Sequence, residues 1–581
     1  MPENLFAAAG DDLREGRVAE AVAKLREHLK RQPSDAAAVE RLGFATHQMG
    51  DLPAAAAAFG TLCRLRPESA AAENNLGTVL GQMGRPVDAL DHFGRAIELD
   101  PEYAEARWAR TMSTLPQAYD VGEEPNAFYA EFEQRLDALD RWFADDRDDL
   151  GQRAVGNQQP YFIAYHDRNN REVLSRYGDL CARLMRVWYG DIPPQRRAWR
   201  DGPVKVAIVS GNVHDHAVWT AIVRGWCQGI DAKRFRLAII YTDTVVDRET
   251  EIARRSVDTF VQGTRDFGAW VDAIRTLAPD VLIYPEVGMD KTCIKLAALR
   301  LAPVQVAAWG HAETTGMPTI DYFLSAAAFE SDTAQQNYSE KLVPLAGIGA
   351  RYAPLAPERV DLDLRSIGLD PARPIALCPA TPYKFLPEYD WTFAELAREI
   401  DNCQLVFVTD NIAPRLSELL ARRLEAEFAK GSLDASRFVR FIPRQPRPQF
   451  FSLMRQSAIY LDTLGFSGFN TAMQALECGL PVITVEGRFM RNRFAAGLLR
   501  EIELEALLAD DAAQYVEIAA DLLSNPHAMR SARRIVAENF PRLLNRDESI
   551  RSLEEFLESV APPRARQPST LMDRLKGMLR R

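Results

Sequence analysis

Apolar and small positions return every 34 residues through the first hundred. Pro33, Pro67 and Pro101 keep that step, as do Gly16, Gly50 and Gly84, and Ala21, Ala55 and Ala89. Leu42-Gly43 returns as Leu76-Gly77, and Phe59 as Phe93. Small residues where two helices touch, a glycine at the turn and a proline after the second helix predict a helix-turn-helix repeat. The pattern is tetratricopeptide-like, in three copies closed by one more helix over Glu102–Ser113. Such a stack offers a concave surface for a peptide or another subunit and catalyses nothing by itself. Helical spacing resumes in FYAEFEQRLDALDRWF and again in YFIAYHDRNNREVLSRYGDLCARLMRVWYG. The second of these is aromatic-rich and is expected to pack against something large. GDIPPQRRAWRDGP then combines proline, glycine and charge as a linker does.

From Val204 the texture changes to short, β-branched apolar runs separated by helical stretches. VKVAIVS, RLAIIYT, DVLIYP and VQVAAW form one set; PIALCP, QLVFVTD, FVRFIP, AIYLDT and PVITVEG form a second. RYAPLAPERVDLDLRSIGLDPARP lies between them. Runs apolar on both faces are those of parallel sheets covered by helices, so the pattern predicts two doubly wound domains in tandem. Ligands of such domains bind at the carboxyl ends of the strands. The expected organisation is repeats over 1–115, a helical connecting region over 116–200, Rossmann-like halves over 201–368 and 369–560, and a basic tail over 561–581.

Composition narrows the chemistry. A net charge of −11 argues against a bulk nucleic-acid binder. The seven cysteines are scattered, odd in number and without a CxxC or metal-like spacing, which points to a reducing compartment. The opening stretch shows no charged-then-apolar leader pattern, and no run approaches the roughly 18 apolar residues of a membrane span. A cytoplasmic location is expected. No first strand is followed by GxGxxG, and GxxxxGK[ST] is absent, which argues against dinucleotide oxidoreductases and P-loop ATPases. In the tail, six Arg/Lys face one Asp after Pro563, and Leu571, Leu575, Met578 and Leu579 share one helical face. The tail suits a frayed terminal helix or, alternatively, contact with an acidic partner or membrane surface.

Polar residues at the strand ends carry the candidate chemistry. After the first run, SGNVHDHAVW places His214 and His216 around Asp215, where an imidazole can exchange a proton or a hydrogen bond with a substrate. A structural turn and a metal site are the other readings of that His-x-His. After VQVAAW, the loop Gly310, His311, Thr314, Thr315 and Gly316 offers hydroxyls and amides to a sugar or an acceptor chain, or else simply caps the next helix. Lys384 follows PIALCP, where a cation can offset charge on a departing diphosphate. In SGFNTAMQALECGLPVITVEG, the amides near Asn470 and Thr471 open a helix and suit an anion. His28, His47 and His92 read as plain helix residues, and His166 as structural.

These motifs resemble protein O-GlcNAc transferases of glycosyltransferase family 41, which also includes SPINDLY fucosyltransferases and HMW1C-type N-glucosyltransferases. The resemblance runs in order from Val204 to about Phe556 through VSGNVHDHAV, LAPVQVAAWGHAETTGMPTIDYFLS, YSEKLVPL, CPATPYKF, SGFNTAMQALECGLPVITVEG and RNRFAAGLL. It implies a repeat array followed by two Rossmann-like domains in a GT-B arrangement. It implies an inverting, metal-independent hexosyltransferase with no cofactor beyond a nucleotide-sugar donor such as UDP-GlcNAc. The acceptor would be Ser or Thr of a protein gathered by the repeats. Transfer of glucose to Asn, transfer of another sugar to flagellin or an adhesin, and an inactive repeat scaffold are the alternatives. By position, His216 matches the active-site histidine and Lys384 the lysine that stabilises the diphosphate. Asn470 and Thr471 match a Thr pair at the phosphate-binding helix, and Phe450 the ring that stacks on the uracil. Arg447 matches a basic residue nearby, and Gln445 and Phe469 flank the same donor pocket. Gln474 stands where the family has an Asp on the ribose and lacks that carboxylate's bidentate acceptance. Thr381 replaces a glutamine, and Ala312-Glu313 a Pro-Gly.

Overall fold

The computed structural model describes residues 4–192 and 202–563. The basic tail from residue 564 and most of the linker lie outside them. The described residues form thirteen strands: β1 (Val204–Ser210), β2 (Phe235–Tyr241), β3 (Thr259–Val261), β4 (Val281–Tyr284), β5 (Val304–Ala308), β6 (Tyr322–Ala326), β7 (Lys341–Leu345), β8 (Ile375–Cys378), β9 (Gln404–Val408), β10 (Val439–Ile442), β11 (Ile459–Leu461), β12 (Val482–Val485) and β13 (Leu508–Ala509). All nine runs picked from the sequence are strands. The four additional ones are β3, β7 and β13, which lie at sheet edges, and β6, an inner strand of five residues between β5 and β7. The chain divides into two compact units, Met1–Trp188 with Pro354–Leu543, and Tyr189–Ala353 with Leu544–Arg581. No described helix is long and apolar enough to cross a membrane.

The first unit begins with the repeats. Three antiparallel helix pairs run Leu5–Arg14 with Val18–Arg31, Ala36–Gln48 with Leu52–Leu65, and Ala70–Gln82 with Pro86–Leu99; Ala104–Met112 follows. Asp35, Asp51 and Ser69 cap three of these helices through backbone N–H groups of their first turns. Gly16, Gly50 and Gly84 sit in the turns at φ of +77°, +75° and +73°, a conformation open mainly to glycine. The 34-residue pairing of Leu-Gly with Phe has a steric cause. A Cβ built on Gly43 would lie 2.8 Å from the Phe59 ring, and one on Gly77 2.8 Å from the Phe93 ring. His28 hydrogen-bonds Asp35, His47 bonds Gln82 and His92 bonds Glu73, so each serves the helix packing.

The connecting region and the second sheet complete this unit. That sheet is wholly parallel, in the order β10-β9-β8-β11-β12-β13. The helix Pro414–Lys430 buries Leu416 and Leu419 with Ala118 and Ala413, and its buried Arg423 holds Asp390 through two hydrogen bonds of 2.8 Å. The aromatic-rich segment finds its partner here. Tyr165 meets Phe466 at 4.4 Å and Tyr383 at 4.9 Å between ring centroids. His166 is buried against the Tyr119 hydroxyl at 3.0 Å, and burial pushes its pKa down to about 4. It is structural.

The second unit holds a parallel sheet in the order β3-β2-β1-β4-β5-β6-β7. The helix Asp547–Val560 packs on it: Glu554 pairs with Arg234 at 2.6 Å, and Ser549 donates to the Ala346 carbonyl at 2.9 Å. The sequence places this helix with the second half through residue 560, whereas the compact units divide after Leu543. The contacts that place it are made to residues some two hundred or more positions earlier in the chain, which no local pattern reveals. By local count the strand order is 3-2-1-4-5-6-7 in the first sheet and 3-2-1-4-5-6 in the second, and each creates a topological switch point. It lies between β1 and β4 in one sheet and between β8 and β11 in the other.

Candidate functional site

In the second sheet, β8 and β11 are hydrogen-bonded neighbours, with Ile459 opposite Ala376 and Tyr460 opposite Leu377. Their outgoing segments therefore emerge side by side. From β8 the chain runs through Thr381 into a 3-10 turn, Pro382–Lys384. From β11 it runs through Asp462 into the helix Phe469–Glu477, whose N-cap is Gly468 and whose first turn no side chain caps. Asp462 builds this helix start. Its Oδ1 accepts from Gly468 N at 2.9 Å, and its Oδ2 from Ser467 Oγ at 2.6 Å and Thr484 Oγ1 at 2.8 Å. Burial holds the Asp462 carboxyl above its usual range, against those three bonds and the Lys384 charge.

The Lys384 ammonium lies 4.5 Å from the centroid of the Phe466 ring. Burial lowers its pKa to about 8, with Asp462 opposing the fall. At neutral pH the site thus carries a cation largely removed from water beside an uncapped helix start, an arrangement complementary to an anion. Two further polar atoms in these segments, Thr381 Oγ1 and Asn470 Oδ1, are buried without a hydrogen-bond partner among the described residues. Buried polar groups are rarely left so, and a bound ligand would satisfy them. Thr471 Oγ1 bonds the Tyr460 hydroxyl at 2.8 Å, which ties this side chain to β11.

The other expected donor residues spread more widely. Gln474 is buried within the Phe469–Glu477 helix. Phe469 is buried with its ring edge-on to Phe494 at 5.9 Å, which makes it a packing residue. Gln445, Arg447 and Phe450 follow β10, two strands from β8, which is roughly 10 Å at the usual strand spacing. There Gln445 Nε2 donates to Pro443 O at 2.8 Å, Arg447 is exposed and Phe450 half-buried at the start of the helix Arg447–Gln456.

The first sheet presents its own polar group at its switch point. His214 Nδ1 and the Tyr241 hydroxyl lie 2.9 Å apart. His216 Nδ1 accepts from Val218 N at 3.3 Å, which assigns the proton of the neutral ring to Nε2. Burial, then His214, push the His216 pKa down to about 4. The chain leaves His216 through a π-helical turn, Val218–Val223, a distortion that recurs at functional sites. After β5, His311 packs against Gly288. The Thr314 hydroxyl donates to Glu340 at 2.6 Å, the Thr315 N–H at 2.8 Å, and the Thr315 hydroxyl binds the same carboxylate. Those hydroxyls, expected to meet a sugar or an acceptor, instead fix the loop ahead of Gly316, which sits at φ +67°.

Sequence reasoning passed over Glu286, Glu340, Asp462 and the Tyr165–Phe466 contact. An acid directly after an apolar run, as in DVLIYPE and AIYLD, is a signal that could have found Glu286 and Asp462. Nothing local marks Tyr165.

Comparisons with known proteins agree with this construction. The tetratricopeptide repeat family matches residues 70–103. The chain is 28% identical over 258 residues to the probable UDP-N-acetylglucosamine–peptide N-acetylglucosaminyltransferase SPINDLY of Solanum lycopersicum, covering 42% of this chain and 25% of that protein. It is 27% identical over 262 residues to a UDP-glucose:protein N-beta-glucosyltransferase of Actinobacillus pleuropneumoniae serotype 5b, covering 45% of this chain and 40% of that protein. It therefore spans well under two thirds of the length of these relatives. A mutant O-GlcNAc transferase of Thermobaculum terrenum superposes with a TM-score of 0.70 at 20% identity over 96% of each chain. The fold is thus a repeat array with two parallel-sheet domains in the GT-B manner of that transferase. The resemblance read from the motifs is carried by sequence and by fold.

Proposed function

We propose that this chain is a protein glycosyltransferase, inverting and metal-independent, that moves a sugar from a nucleotide-sugar donor to a protein side chain. The observation that carries the reading is Lys384: a largely desolvated cation beside an uncapped helix start at the switch point of the second sheet. In that reaction an acceptor oxygen or nitrogen attacks the anomeric carbon, the bond to the diphosphate breaks with negative charge growing on the departing phosphate, and the acceptor's proton passes to that phosphate. Lys384 and the amides near Asn470 and Thr471 stabilise that charge, the task a divalent ion performs elsewhere. His216, neutral at pH 7 with its proton on Nε2, is a hydrogen-bond donor that orients the acceptor rather than a base that deprotonates it. The repeats gather the acceptor protein.

The donor best matched by the motifs is UDP-GlcNAc, with Ser or Thr as acceptor. N-linked transfer of glucose is the second reading, favoured by the N-glucosyltransferase relative. A panel of nucleotide sugars tested for hydrolysis and transfer, with intact-mass analysis of a co-expressed acceptor and with EDTA present, separates these. Turnover of one donor that Lys384→Ala abolishes is the expected result. No turnover of any donor, or full activity of Lys384→Ala, overturns the proposal.

A further inference from the structure

Glu286 lies just beyond β4, fully buried, where β1 and β4 run side by side. Its Oε1 accepts three hydrogen bonds from the chain leaving β1: Ser210 Oγ at 2.6 Å, Gly211 N at 2.9 Å and Asn212 Nδ2 at 3.2 Å. Asn212 N donates in turn to Ser210 Oγ at 3.0 Å, so one carboxyl oxygen organises the whole turn. Its Oε2 is buried and has no hydrogen-bond partner among the described residues. The turn leads directly to His214 and His216.

Resting on the function proposed above for its catalytic readout, we propose that Glu286 is a positioning residue: a neutral carboxylic acid that clamps the Ser210–Asn212 turn and so fixes His216. A carboxyl whose second oxygen meets no donor keeps its proton, because the ionised form would be neither hydrated nor bonded there. Burial, opposed by the three bonds and assisted by the Asp290 charge, pushes the Glu286 pKa up to about 8. Asp290, at the N-cap of the helix Lys291–Ala297, and Cys293 within it face Glu286 from that helix. Tyr284 lies on its own strand, and its buried hydroxyl stays protonated. From the β1 side come the uncharged Ser210, Gly211 and Asn212, and His311 packs on Gly288. Asp290 Oδ1 accepts from Thr242 Oγ1 at 3.1 Å and Cys293 N at 2.7 Å, and the Asp290 charge adds to the upward push on the Glu286 pKa. Ionisation strengthens the three bonds to Oε1 but leaves a charged Oε2 without a donor, so water must reach it through the packing around the turn.

Glu286→Gln keeps the accepting oxygen and stays neutral at every pH; Glu286→Ala removes the clamp. At saturating donor, loss of the Lys384 proton and ionisation of Glu286 should each steepen the fall of wild-type kcat above about pH 8 by about tenfold per pH unit, E286Q should keep only the Lys384 limb, and E286A should lose about tenfold in kcat at pH 7 with little change in donor KM. A second readout needs no turnover. The folded-state pKa lies above the ordinary 4.5, so the stability this group contributes is complete below 4.5 and is lost as pH rises to about 8. The wild-type urea midpoint should therefore decline relative to that of E286Q across that window. Alkaline limbs of equal steepness in wild type and E286Q, an E286A enzyme with wild-type kcat, or urea midpoints that run parallel overturns the proposal. Failure of E286Q to fold overturns it too. If no donor is turned over, the glycosyltransferase reading fails, and the urea comparison still decides the role of Glu286.

Discussion

Replacing Lys384 should abolish sugar transfer and at the same time stabilise the fold. The fall of its pKa from 10.5 to about 8 corresponds to about 3 kcal/mol in favour of the neutral amine, and it already contains the attraction of Asp462. Lys384→Met fills similar volume without the charge. It forfeits the ammonium's contact with the Phe466 ring, worth about 1 kcal/mol, part of which a thioether recovers. A net gain of about 2 kcal/mol at pH 7 follows. The pH dependence has a definite sign. Between about 8 and 10.5 the unfolded chain holds a proton on this lysine that the folded chain has released, so wild-type stability rises with pH across that window. The advantage of the mutant is full below pH 8 and closes towards 10.5. Urea unfolding of both proteins at pH 7 and pH 10, followed by tryptophan fluorescence, measures the gap, and transfer assays measure the loss of function. A Lys384→Met protein that is less stable than wild type at pH 7, or a gap that does not narrow at pH 10, refutes the picture of a cation held in place at an energetic cost for its chemistry.

Other expectations rest on separate contacts. Gly77→Ala places a methyl 2.8 Å from the Phe93 ring and should destabilise the repeats by about 1–3 kcal/mol, read as a lower thermal midpoint without loss of donor hydrolysis. Asp390→Ala strands the buried Arg423 guanidinium and should cost about 3–5 kcal/mol by urea unfolding, whereas the same change at the exposed Asp11 should cost under about 1 kcal/mol. Tyr165→Leu removes the ring that packs on Phe466 and should reduce kcat with the fold retained; Tyr165→Phe keeps the ring and should stay near wild type. Equal kinetics for the two would show that the ring has no bearing on Lys384.

The local signals were strong where the structure repeats or alternates. The 34-residue period names its helices because each landmark has a local duty: a glycine at positive φ, a capping Asp or Ser, a Gly against a Phe one helix later. The apolar runs name their strands because parallel strands are buried on both faces. Lys384, Asn470, Thr471 and His216 were legible as residues leaving strand ends. Their partners were not. Asp462 looks like an ordinary turn residue until three donors converge on it, and Thr314 and Thr315 look available until Glu340 takes their hydroxyls.

The sequence by itself determined the order and kind of the elements, the repeat array and the strand ends where chemistry gathers, since those depend on periods of two, 3.6 and 34 residues along the chain. Tertiary structure alone decided which strand ends are neighbours, that Tyr165 from the connecting region packs on Phe466, and that the last helix returns to the first sheet. It also decided which carboxyls burial pushes above their ordinary range. Those outcomes depend on contacts between residues far apart in sequence and on desolvation, and neither leaves a mark on the local pattern.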